Sequence, residues 1–64
     1  MIKEVIKFQN GMVMVFDEKG EQIPAYQGRY QEVRAKILAR APGGAKFFHG
    51  IWGKSVIVVS RKDW

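Results

Sequence analysis

Between Ile2 and Asp17 two largely apolar runs are separated by Asn10-Gly11. Short apolar runs bounded by turn residues mark strands, so Ile2 to Phe8 is expected as the first and Met12 to Asp17 as the second. Asn-Gly between such runs signals a hairpin. A two-residue type I′ loop needs positive φ at both central positions, which Asn tolerates and Gly adopts freely. That loop places Gln9 opposite Met12, Phe8 opposite Val13, Ile6 opposite Val15 and Val5 opposite Phe16. One face of the ribbon would then carry Ile6, Phe8, Val13 and Val15, and the other Val5, Met12, Met14 and Phe16. Both faces are largely apolar, as in a ribbon near the middle of a sheet.

Further along, Asp17-Glu18-Lys19-Gly20 reads as a turn, and Glu21-Gln22-Ile23 as a short third strand stopped by Pro24. Tyr26-Gln27-Gly28 is a connection. From Arg29 to Ala41 the period changes to that of a helix. Tyr30, Val33, Ile37, Leu38 and Ala41 share one broad face, the stripe a helix needs to cover a sheet. Glu32 and Lys36 form an i,i+4 pair in the favourable order, and Pro42-Gly43-Gly44 ends the helix.

A second hairpin is expected from Lys46–Trp52 and Ser55–Arg61, with Gly53-Lys54 as a type II′ turn. It pairs Ile51 with Val56, His49 with Val58 and Phe48 with Val59. The β-branched run Val56-Ile57-Val58-Val59 is what a strand buried on both faces looks like, so it is expected at the centre of the sheet. The fold class is therefore α+β in one domain, residues 1–64. It is an antiparallel sheet of four or five strands in the order β-β-(β)-α-β-β, with the helix packed on one face. A small SH3-like β-barrel plugged by the helix is the alternative.

Composition adds a constraint. The 64 residues hold no cysteine, so neither disulfides nor thiolate-bound metal can reinforce a core of this size. Dense packing and self-association remain, and 47% apolar residues supply the first. A sheet with two apolar faces and one helix leaves a face to cover, which points to a homodimer or a protein partner. Met12, Met14, Trp52 and Trp64 are the candidate interface residues, Trp being a common anchor at interfaces. The N-terminal residues carry charges and no apolar core of a leader, and no run approaches a membrane span. A cytoplasmic protein with no membrane partner is expected.

Charge divides the chain. Residues 1–33 hold four Lys/Arg against five Asp/Glu, and residues 34–64 seven against one, which together give the net +5. Such asymmetry points to an anionic partner, nucleic acid first. The residues concerned are Arg29, Arg34, Lys36, Arg40, Lys46, Lys54, Arg61 and Lys62, with Phe47, Phe48, His49 and Trp52 interleaved among the later ones. Contacts of this kind neutralise phosphates, so binding would be tolerant of sequence and steeply salt-dependent. The plainer account of the same charges is a solvated surface.

Catalytic chemistry finds no constellation. Gly53-Lys54-Ser55 is part of a phosphate-binding P-loop, but Phe48 stands where that motif needs its first Gly, and a strand pattern follows where it needs a helix. His49 is the only histidine. A metal would require further His, Cys, Asp or Glu ligands near it. As a general base it would need a nucleophile such as Ser55 or Ser60 and a carboxylate such as Asp17 or Asp63, and no nucleophile-elbow spacing surrounds them. No enzyme activity, cofactor or metal is expected.

The stretch Asn10-Gly11-Met12-Val13-Met14-Val15-Phe16-Asp17, continued by Gly20-Glu21-Gln22-Ile23-Pro24 and Gln27-Gly28, resembles short uncharacterised phage or prophage proteins that open on the same pattern. The resemblance implies a shared hairpin over the first 28 residues and a phage-related accessory role. It carries over no site residue.

Overall fold

The computed structural model describes residues 1–51 and 55–64; Trp52, Gly53 and Lys54, with the expected Gly53-Lys54 turn, lie outside the described residues. Five strands and one helix follow in the order β1 (Ile2–Phe8), β2 (Met12–Asp17), β3 (Gly28–Arg29), α1 (Tyr30–Arg40), β4 (Lys46–Gly50) and β5 (Val56–Val59). Short 3-10 turns cover Pro24–Tyr26 and Arg61–Asp63. The strands form one sheet in the order β3-β2-β1-β4-β5, with α1 against one face. This is the α+β fold expected from the sequence.

One pair runs parallel. β1 and β4 lie side by side in the same direction, with Val5 beside Phe47 and Lys7 beside His49, whereas all other neighbours are antiparallel. The helix is the cause. After β3 the chain returns along α1, so β4 starts again in the direction of β3 and β1. An all-antiparallel sheet does not follow from a single intervening helix. The expected third strand, Glu21–Ile23, reduces to a bridge between Phe16 and Gln22, and the strand beside β2 is Gly28–Arg29.

The first hairpin differs from expectation by one residue. Val5 faces Val15, Ile6 faces Met14 and Lys7 faces Val13. The loop is Gln9-Asn10-Gly11. Gly11 donates its N–H to Phe8 O at 2.9 Å and adopts φ +87°, and among the described residues only glycines have positive φ. This is a three-residue loop with its glycine in the left-handed position, the other common use of Asn-Gly. Asn10 contributes its side chain, Oδ1 accepting from the Met12 N–H at 3.0 Å. The shift moves β1 to its opposite face. Val5 joins Val13 and Val15 beneath the helix, while Ile6 and Phe8 join Met12, Met14 and Phe16 on the other side.

A register shift between Ile2 and Glu4 then turns Ile2 inward as well. The core is Ile2, Val5, Val13, Val15 and Phe47 of the sheet, Val33 and Ile37 of the helix, and Trp64. Tyr30, Leu38 and Ala41 pack against it, completing the expected helix stripe.

The second hairpin is displaced in the same sense: Phe48 faces Val58, His49 faces Ile57 and Gly50 faces Val56. β5 is not central. It is an edge strand with Val56, Ile57 and Val58 exposed by 47, 47 and 63%. Its β-branched run reflects fit to a pleated surface, which an edge strand shares with a central one.

Candidate interaction surfaces

The sheet has a covered face and an open one. On the open face stand Ile6 and Phe8 from β1, Met12, Met14 and Phe16 from β2, Phe48 from β4, and Val56 and Val58 from β5. None of these is buried, although all are apolar. Gly50, buried on that face, lies under the Phe8 ring, whose edge carbons come within 2.7–2.8 Å of where a Cβ would be. Only glycine leaves room for that ring. Towards β2 the face deepens into a groove of about 430 Å³ lined by Phe8, Asn10, Met12, Met14, Gln22 and Gln27. Gln27 Oε1 is buried and has no hydrogen-bond partner among the described residues.

Two expected interface residues, Met12 and Met14, therefore belong to this face. Trp64 does not. It is 3% exposed and packs on Tyr30 and Phe47 with ring centroids 5.1 Å away in both cases. Its main-chain carbonyl accepts the Tyr30 hydroxyl at 2.6 Å. No local pattern marks a terminal Trp as core, because its contacts lie on the distant helix and β4. Trp52 lies outside the described residues.

The seven candidate basic residues among the described ones are dispersed rather than gathered. Arg61 is structural: it donates to the carbonyls of Ala41 and Pro42 just past the helix, and its guanidinium lies 5.0 Å from the Phe47 ring centre. Arg34 donates from Nε to the Tyr30 hydroxyl at 2.8 Å, and Lys36 from Nζ to Ala25 O at 2.8 Å. Both remain exposed. Around the helix, Lys36 and Arg40 lie about 120–160° from Arg34, on opposite flanks of the buried stripe. Lys62 stands with Arg34 beside Leu38. Arg29 is exposed on β3. Lys46 is on the open sheet face next to Glu4, and Lys54 is outside the described residues.

His49 sits on β4 beside Lys7, half-buried, and its Nε2 has no partner among the described residues. Asp17 pairs with Ile2 at the far end of β1, and the Ser60 hydroxyl donates to Asp63 at 2.8 Å. The fold does not bring these groups together around His49. No cluster of three His, Cys, Asp or Glu exists among the described residues, and no helix is long and apolar enough to cross a membrane. After Ser55 the chain enters a strand, not the helix a P-loop needs.

Asp17 holds the turn that follows β2. Its Oδ1 accepts from the Glu21 and Lys19 amides, each at 2.9 Å. These bonds, Glu21 foremost, hold its carboxyl below the ordinary 3.8.

Compared with known proteins, the chain matches no family model, no curated protein and no solved structure.

Proposed function

We propose that this chain is a non-enzymatic interaction module that docks a protein on the open face of its sheet. One observation carries the reading: eight apolar side chains from four strands form a continuous surface that the helix does not cover. Surfaces of this kind cost free energy in water and mark association sites. Arg29 borders the face at β3, and Glu4 and Lys46 sit at the opposite end, giving an apolar centre with a charged rim. A phage-related accessory role suits a module of this type. The test is a fluorescent apolar dye. Val58→Lys and Met12→Lys, at positions already 63 and 41% exposed, should leave the fold intact and remove dye binding. Unchanged dye binding would contradict the reading.

A second reading rests on the opposite side. The helix and the Ser60–Trp64 segment carry Arg34, Lys36, Arg40, Arg61 and Lys62 against Glu32 and Asp63. Spread over both flanks of the helix, these cations suit a nucleic acid held through its phosphates, weakly and without sequence preference. Oligonucleotide affinity should fall steeply with salt, and replacing Lys36 and Arg40 by Ala should flatten that slope.

A further inference from the structure

We propose that the occupant of the open sheet face is a second copy of this chain, seated face to face about a two-fold axis that runs along the strands between β1 and β4. The inference rests on the reading of that face as a docking surface and adds the identity and geometry of the partner. Three features support it.

The first is register. β1 and β4 are parallel, so Glu4 stands beside Lys46 and Ile6 beside Phe48 at matching heights on the open face. A two-fold axis along the strands exchanges the two strands without reversing them. It therefore sets Glu4 above the second copy's Lys46, Ile6 above its Phe48, and Lys46 above its Glu4. An antiparallel pair would not keep these heights. The arrangement is self-complementary, as an isologous interface must be. Glu4 and Lys46 make no ion pair within the chain among the described residues, so both are open to this use.

The second feature is charge. A chain of net +5 repels its own copies unless the contact avoids its cations. Here the cations of α1 and the last turn lie on the far side of the sheet. The face itself carries the opposed Glu4 and Lys46 at one end and Arg29 at the β3 edge. Stacking the sheets leaves both helices, and both cationic surfaces, pointing outward.

The third is area. Met12, Val56 and Val58 stand 41, 47 and 63% exposed, and the other five apolar side chains of the face are partly exposed. A stable interface takes about 800 Å² from each partner, of which about 56–65% is apolar. The face spreads such side chains over four strands and sets Glu4, Lys46 and Arg29 at its margin, so it has both the apolar centre and the polar rim of such an interface. Two sheets stacked this way cross at about 30° and interdigitate their inner side chains.

The experiment is sedimentation equilibrium of the full chain with three variants: Glu4→Lys, Lys46→Glu and the double exchange. All three act at the rim, where folding is little affected, and circular dichroism checks that. Each single reversal places like charges opposite one another twice per dimer and should weaken association about 10-fold. The double exchange should restore it to within about 3-fold of the parent. Dimerisation indifferent to all three variants, or a chain that stays monomeric at millimolar concentration, would overturn the proposal. In the monomeric case, dye bound to the wild type and lost in Val58→Lys would leave the face as a site for a different protein. Absence of dye binding would remove that reading as well.

Discussion

The Tyr30 hydroxyl donates to the main-chain carbonyl of Trp64 at 2.6 Å and accepts from Arg34 Nε at 2.8 Å, so the helix and the last turn close on each other through one oxygen. The Lys7 ammonium lies 4.0 Å from the centre of the same ring. Tyr30→Phe removes the donor and leaves the Trp64 carbonyl and Arg34 without their partner, and should cost about 1 kcal/mol. Trp64→Ala opens a cavity against Tyr30 and Phe47 and should cost about 3–5 kcal/mol. Against a total stability of about 5 kcal/mol for a small domain, that loss removes most of the folding free energy. Urea denaturation followed by far-ultraviolet circular dichroism measures both. A Trp64→Ala variant as stable as the parent would contradict the core described above.

Phe8 and Gly50 should be energetically coupled. Gly50→Val drives a side chain into the Phe8 ring and should destabilise by about 1–3 kcal/mol. With Phe8→Ala the space is vacated, so the double variant should lose clearly less than the sum of the two single losses. A thermodynamic cycle from denaturation curves gives the coupling, and additive losses would place the ring elsewhere.

The loop at Gly11 sets the hairpin register. Gly11→Ala forces a side chain into φ +87° and should cost about 1–2 kcal/mol. Asn10→Ala removes only the bond to the Met12 amide and should cost less. Equal costs would favour a loop in which both residues are left-handed.

Acid should loosen the turn after β2. The Asp17 carboxyl titrates below its ordinary 3.8 because the charged form accepts from the Glu21 and Lys19 amides. A lowered folded pKa contributes stability above the unfolded value, and that contribution is lost as pH falls below 3.8 through the folded pKa. The Lys19 and Glu21 amide resonances should move together in that range. Asp17→Asn keeps a neutral acceptor and should abolish the shared titration, while amides that move only above pH 3.8 would contradict the assignment.

How much of this was legible in the sequence varies by element. The helix was, because Val33 and Ile37 set its buried stripe and Pro42 stops it. The hairpin position was too, since Asn10-Gly11 admits little else. The choice of face was not. Asn-Gly serves a two-residue and a three-residue loop equally well, and the two differ by one residue of register, which inverts a strand. This is why Val5 is core and Ile6 and Phe8 are open. Val56–Val59 has the composition of a buried strand, but composition does not say whether a neighbour exists on both sides. Arg61 and Trp64 sit in a short charged tail with no periodicity. Their roles as helix cap and core depend on contacts with residues about 20 and 34 positions away. Met12, Met14 and Phe16 were expected together on one face of the ribbon, and they stand together on the open one.

The central claim is that the sheet face opposite the helix is the surface through which this protein associates. The direct test is a series of methyl and aromatic carbon–proton spectra recorded from micromolar to millimolar concentration. Resonances of Met12, Met14, Ile6 and Phe48 should shift together as concentration rises, while those of Val33 and Ile37 beneath the helix stay fixed. Shifts confined to the helix and the Arg61–Asp63 turn, with Met14 and Phe48 unmoved, would contradict the account.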